Sequence, residues 1–256
     1  MLLHAPTALR SLRDMPWLGN FVHRLSYRLI PVDQKIWARI QAGAAEGLWI
    51  ELNPRTGQNY VRGEVETVVQ KILTERLKPG MIFYDLGANI GYFTLLAARL
   101  VGEGGKVFSF EPDPENAARL RRNIQRNGFT NVTVVDAGIW SVTQKRNFVT
   151  ADSASPDHGI GKFDMLDGPD IGTPIPCTSL DDFTVDSPLP DAIKCDVEGA
   201  EIEALRGAEG VLRAKHPWIV CEMHSQANER AAREILRRFD YTLEARDKSH
   251  LLAFIS

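Results

Sequence analysis

Cysteine is scarce in this sequence. The three present (Cys177, Cys195 and Cys221) form no C-x-x-C pair. Cys195 and Cys221 fall within apolar segments that read as strands, so reduced core thiols of a cytoplasmic protein are the simplest reading. Long hydrophobic runs are missing too: none approaches eighteen residues, which excludes a membrane span. The start is basic and partly apolar, but it lacks a continuous hydrophobic region and a small-residue cleavage site, so no secretory leader is expected. Neither charge dominates. Thirty Lys and Arg stand against 33 Asp and Glu, for a net charge of −3, so electrostatics does not call for a nucleic-acid partner. No internal repeat or low-complexity tract is visible. At 256 residues the chain suits one α/β domain with an N-terminal extension, large enough to bury a sizeable core.

The most informative stretch is residues 81–94, Met-Ile-Phe-Tyr-Asp-Leu-Gly-Ala-Asn-Ile-Gly-Tyr-Phe-Thr. A short apolar run reads as a buried strand. It ends at Asp85, turns through Gly87 and Gly91, and enters a segment with helical apolar spacing. Glycines at such a turn let backbone approach a ligand closely, and a helix amino end leaves amide donors unsatisfied. A nucleotide or nucleoside commonly exploits that geometry.

The spacing argues against a dinucleotide, which wants G-x-G-x-x-G and a pyrophosphate at the helix end. Here the order is D-x-G-x-x-x-G, with Asp85 before the first glycine and Asn89 inside the turn. A carboxylate there repels a pyrophosphate but suits a ligand with an ammonium group. S-adenosylmethionine (SAM) carries an ammonium and a sulfonium and no phosphate. The next strand, residues 106–111, ends in Glu111 about twenty residues past Gly91, where a ribose diol is normally gripped. The plainer alternative is that Asp85 and Glu111 only cap the helices that follow.

Along the rest of the chain, residues 12–30 mix apolar side chains with Arg13, Arg24 and Arg28. They read either as an interfacial helix on an anionic membrane or as a helix packed on the domain or a dimer partner, and the second is preferred. Residues 47–52 and 58–61, flanking Asn53-Pro54-Arg55-Thr56-Gly57, look like a hairpin. A helix is expected over 64–77, ending at Pro79-Gly80, and another opens at Asp113-Pro114 and closes near Gly128. A third strand spans 131–138. Residues 151–176 are rich in glycine and proline, and such a long loop is usually functional or disordered. It reads as a substrate-facing flap, with short strands near 145–150 and 175–177. Strands at 192–197 and 218–222 and helices at 202–214 and 228–239 follow, and two strands at 241–245 and 251–255 close the chain. Strands alternating with helices predict a parallel sheet with crossovers.

Two polar clusters fall at neighbouring strand ends, the edge where open α/β sheets bind ligands. One holds Lys194, Asp196, Glu198 and Glu201; the other holds Glu222 and His224. Such a density of acids is costly unless cations, donors or substrate satisfy them. Alternation places Lys194, Asp196 and Glu198 on one side, with Glu201 in the first turn of the next helix, where the helix dipole favours an anion.

Residues 83–91 (FYDLGANIG), 110–112 (FEP), 178–183 (TSLDDF) and 193–201 (IKCDVEGAE) together closely resemble the FkbM family of SAM-dependent methyltransferases. The ordered motifs cover residue 46 to the end, and the family's glycine, two residues and glutamate before the first strand recur as Gly63 and Glu66. Cys195 stands where the family more often has an apolar residue, a change of packing rather than chemistry. The resemblance implies a class I (Rossmann-like) α/β fold, a seven-stranded, mostly parallel sheet with an antiparallel last strand and helices on both faces. It implies a methyltransferase domain over 46–256; residues 1–45, which it does not cover, read as an N-terminal helical extension. It also implies SAM as cofactor, usually for O-methylation of a hydroxyl on a sugar, glycolipid or secondary metabolite. By the same carry-over, Glu66 and the turn from Asp85 through Gly87 and Asn89 to Gly91 hold the methionine end, Glu111 takes the ribose, and Asp136 with Ala137 edges the adenine.

Methyl transfer requires the acceptor oxygen to lie in line with the sulfonium methyl and to lose its proton. His224 is the candidate base, because its ordinary pKa lies near neutrality and Glu222 is two residues away. Lys194 and Asp196 complete the expected catalytic group. Alternatively Asp196 and Glu222, with His224, hold a divalent cation such as Mg²⁺ that also binds the acceptor oxygen. Glu198, Glu201 and His158, the last in the flap, are candidate acceptor contacts. An N-methyltransferase or a non-catalytic SAM-fold protein stays open, but no Asn/Asp-Pro-Pro-aromatic motif follows the fourth strand, which argues against amide methylation.

Overall fold

The computed structural model describes residues 31, 34–149, 162–163 (backbone only) and 172–255. Its centre is a seven-stranded sheet. In chain order the strands are β3 (Ile82–Leu86), β4 (Lys106–Phe110), β5 (Val132–Val135), β10 (Ala192–Cys195), β11 (Trp218–Glu222), β12 (Thr242–Ala245) and β13 (His250–Phe254). They lie side by side in the order β12-β13-β11-β10-β3-β4-β5, so the chain runs outward one way from β3 and then outward the other way from β10. Only β13 is antiparallel, pairing with β11 on one side and β12 on the other. This is the class I methyltransferase topology expected from the sequence.

The central strands read as continuous apolar runs because both faces are covered. Phe83, Val107, Ala192 and Val220 pack on one layer, and Tyr84, Phe108, Ile193 and Ile219 on the other. Helices α2 (Thr67–Arg76), α3 (Tyr92–Val101) and α4 (Pro114–Arg126) belong to the first half of the chain. Helices α6 (Glu201–Arg206), α7 (Glu209–Ala214) and α8 (Gln226–Arg237) belong to the second. The start of α4 follows the expected chemistry: Pro114 takes the first turn, and the Asp113 carboxylate accepts hydrogen bonds from the Glu115 and Asn116 amides. The helix expected over 202–214 is divided at Gly207 and Ala208.

The TSLDDF motif is a structural clamp. Ser179 caps the short α5 (Leu180–Phe183), and the Asp181 carboxylate accepts from the Gly210 and Val211 amides at the start of α7, at 2.9 Å each. Phe183 meets Tyr84, Phe108 and Phe110 edge-on or nearly so, with centroids 4.9–5.7 Å apart.

The hairpin expected from 47–52 and 58–61 does not form. β2 (Trp49–Leu52) pairs instead with β1 (Ile36–Arg39), and Gln58–Arg62 is a helical turn, α1. Asn127, just past the end of α4, and Asn123 within it explain the choice: they accept from the Trp49 and Glu51 amides at 2.8 and 2.7 Å, so the other edge of β2 has no donors left. The β1–β2 pair also runs across residue 45, so residues 36–39 of the expected helical extension are strand.

A second sheet, in the order β6-β9-β7-β8, stands beside the first. It contains β6 (Gly138–Ile139), β7 (Gln144–Val149), β8 (Lys162–Phe163) and β9 (Thr173–Thr178). The third strand expected over 131–138 is thereby split between two sheets. Most of the expected flap, with His158, lies outside the described residues. Among the described residues no helix is long and apolar enough to cross a membrane.

Candidate active site

The carboxyl ends of β3, β4, β10 and β11 open onto a pair of adjoining clefts. The turn after β3 forms their shared wall. Gly87 has φ +77°, and a Cβ there would sit 1.8 Å from the Asp196 carbonyl oxygen. Gly91 has φ +93°, and a Cβ there would lie 2.2 Å from Leu120, so glycine is what lets α3 close onto α4. Between them the Asn89 amide donates to Glu111 Oε2 at 2.7 Å, while Glu111 Oε1 accepts from the Asp113 amide at 2.9 Å. Glu111 is therefore fixed in place at the end of β4. Burial pushes its pKa up to about 7, against the pull of those two amides.

The first cleft is lined by Gly87, Asn89, Glu111, Ala137, Phe148 and Glu198, among others. The second has Tyr60, Glu66, Phe93, Lys194 and Glu222 in its walls. Gly87, Asn89, Asp196 and Glu198 belong to both. Both clefts set acids beside aromatic side chains, and with the pinned Glu111 carboxylate in the first they fit a cationic nucleoside such as SAM.

Several expected site residues occupy other roles. Asp85 does not face the cleft. It is wholly buried, with Oδ2 accepting from Thr94 Oγ1 at 2.6 Å and Oδ1 lying 3.7 Å from Lys194 Nζ. Burial raises its pKa, and Lys194 and Thr94 oppose the rise. An ammonium on a ligand cannot reach it. Lys194 also donates to Asp196 Oδ2 at 3.1 Å, so it ties the end of β3 to the end of β10. Burial works against its charge, but Asp196, Asp85 and Glu66 outweigh burial and raise its pKa. Asp136 is exposed and held by Arg121 at 2.8 and 2.7 Å; the next residue, Ala137, lines the cleft instead.

His224 is oriented by Glu201, not by Glu222. Its Nδ1 lies 2.8 Å from Glu201 Oε1, and its Nε2 lies 3.4 Å from Glu198 and 3.8 Å from Asp196. Glu201 is fully buried and already holds the Gly199 amide and the Asn228 side chain, both at 2.7 Å, so it positions the histidine and is no acceptor contact. The Glu201 hydrogen bond, opposed by burial and helped by Glu198 and Asp196, raises the His224 pKa to about 9.

Glu222 groups instead with Glu66 and with His250, a residue that sequence reasoning missed. The register of β11 against β13, which sets Glu222 opposite His250, is the signal that brings them together. Burial, then Asp196 and Glu66, push the Glu222 pKa up to about 7.

The Methyltransferase FkbM domain matches residues 85–249. The chain is similar to a protein-L-isoaspartate O-methyltransferase of Methanococcoides burtonii, 40% identical over 60 residues, or 23% of this chain and 30% of that one. It is similar to the hexuronic acid methyltransferase AglP of Haloferax volcanii, 26% identical over 178 residues, or 69% of each chain. It is similar also to the 31-O-demethyl-FK506 methyltransferase FkbM of Streptomyces tacrolimicus, 39% identical over 90 residues, or 35% of this chain and 30% of that one. The matched part thus spans about a third of the first and third relatives. With the matched domain running from the end of β3 to the start of β13, the chain belongs to the FkbM family of SAM-dependent methyltransferases.

Proposed function

We propose that the protein transfers the methyl group of SAM to a hydroxyl of a sugar, glycolipid or secondary metabolite. The observation that carries this reading is the Glu201–His224 pair, an imidazole held at Nδ1 by a buried carboxylate with Nε2 beside two cleft residues, Asp196 and Glu198. The relation to AglP, a hexuronic acid methyltransferase covered over two thirds of its length, supports a sugar-like acceptor.

When bound, SAM supplies a methyl group already activated by its sulfonium. The chain supplies the rest. Glu111 is placed to receive the ribose hydroxyls. Glu201 fixes the tautomer of His224, and Nε2 takes the hydroxyl proton as the carbon–oxygen bond forms and the carbon–sulfur bond breaks. Because its neighbours raise the His224 pKa to about 9, the base form grows as pH rises toward that value. An amine acceptor needs less help from a base, so this pair favours oxygen over nitrogen.

A second reading has one observation in its favour. Asp196, Glu198 and His224 each offer a ligand atom, all within 4.8 Å of one another, which suits a divalent cation such as Mg²⁺. Glu222, the ligand expected from sequence, is not in that group. Turnover that survives thorough chelation ends this reading.

The deciding experiment follows labelled methyl from SAM into fractionated glycans, lipids and small metabolites. Label in one alkali-stable product supports O-methylation and identifies the acceptor class. Label confined to amines, or none with acceptor-rich fractions and intact donor, rejects it.

A further inference from the structure

Away from the clefts, β1 and β2 turn one face into the core and the other outward. Ala38, Ile50 and Leu52 are buried, and the alternate positions Trp37, Arg39, Trp49 and Glu51 lie on the opposite side. There the exposed Arg126, at the end of α4, stacks over both indoles. Its guanidinium lies 5.0 Å from the Trp49 ring centre and 5.6 Å from that of Trp37.

Two features set this face apart. Trp140 and Trp218 are buried, whereas Trp37 and Trp49 are only half-buried and share one cation. The charge is also one-sided. Glu51 is already paired with Arg122, and Glu115 with Lys35 and Arg119. Glu46, in the turn between the strands, sits beside Arg99. Arg126 and the exposed Arg39, which donates Nε to the Gly47 carbonyl at 2.9 Å, make no ion pair among the described residues.

We propose that this face docks the protein on a bilayer surface of anionic phospholipids, with Trp37 and Trp49 at headgroup level and Arg39 and Arg126 on the phosphates. Indoles favour that depth, and a weakly hydrated guanidinium stacked on an aromatic ring pairs well with phosphate there. The chain's own amino-terminal segment is a poor occupant, because residues 1–30 carry four arginines and one acid. Like charge opposes like, and that segment is drawn to the same anionic surface. Single-stranded nucleic acid asks for open ring faces on which bases stack, and Arg126 already covers one face of each indole. Docking stands apart from the methyl-transfer reading. Only its consequence, that a glycolipid is the acceptor such a surface presents, rests on that reading.

Flotation of the full chain with phosphatidylcholine vesicles, with and without about one third phosphatidylglycerol, tests the assignment. Partition onto the anionic vesicles should be about tenfold stronger or more, and should fall as salt rises. Each basic residue near such a surface contributes about fivefold, so Arg126→Glu should weaken partition about 25-fold and Arg39→Gln about fivefold. Arg213→Glu removes a guanidinium from the Phe239 ring on α7 and should leave partition nearly unchanged. Equal partition onto both vesicles, or none, would overturn the docking surface. So would full binding by Arg126→Glu, equal weakening by Arg213→Glu, or tighter binding to a DNA oligonucleotide at matched salt and phosphate. S-adenosylhomocysteine binding by the same samples reports separately on the donor reading.

Discussion

Two histidines serve the same edge of the sheet, built alike and placed differently. Each has a carboxylate on Nδ1, Glu201 for His224 and Asp247 for His250, and each has a glutamate facing Nε2, Glu198 and Glu66 respectively. Their neighbours raise both pKa values to about 9. What separates them is access: the His224 side chain is 26% exposed and that of His250 is 6%. That access is what the proposed base role of His224 requires, and the closed surroundings of His250 lack it. Similar local chemistry with different access thus suits the two histidines to different tasks.

The comparison breaks most visibly at His224. Replacing it with alanine should cost about 10²- to 10⁴-fold in kcat with affinity for S-adenosylhomocysteine retained; near-normal turnover would remove it as the base. Glu201→Gln sharpens the contrast by taking away the charge on Nδ1. The acidic limb of kcat/KM, expected near 9 in the wild type, should then move down toward the ordinary 6.5 of histidine, with a fall in rate at high pH. His250→Asn should raise KM for SAM several-fold, the order of a lost supporting contact, and leave that limb where it was. A shift of the limb in this variant would mean that the two histidines act as one unit.

The smallest effect concerns stability. Glu222 has its pKa raised from 4.5 to about 7, so across that interval the folded state binds more protons than the unfolded state, and stability falls as pH rises. Glu222→Gln should flatten the dependence of melting temperature on pH between 4.5 and 7. A slope identical to that of the wild type would show that Glu222 is not the group responsible.

The first half of the candidate donor site was legible because it is local. The apolar run into Asp85, two glycines four apart and Glu111 at the next strand end all declare themselves within a few residues. Asp113 and Pro114 announce their helix start in the same way. What could not be read depends on partners distant in sequence. The burial of Asp85 under Lys194 joins residues 109 apart, and the pairing of β2 was decided by two asparagines in and just after α4. His250, isolated between Ser249 and Leu251, gained meaning only when an antiparallel register set it opposite Glu222. The DVEGAE segment lay between these cases. Its acids promised a site, but only the folded chain shows Glu201 turned inward and Glu198 turned toward the cleft.

The contact at Gly87 carries a mechanical consequence. The backbone there passes so close to the Asp196 carbonyl that not even a methyl group fits between them. The turn after β3 and the loop that carries Asp196 and Glu198 therefore mesh like two teeth of one gear. Neither can close further on the other, and under the function proposed above this contact links the placement of donor and acceptor.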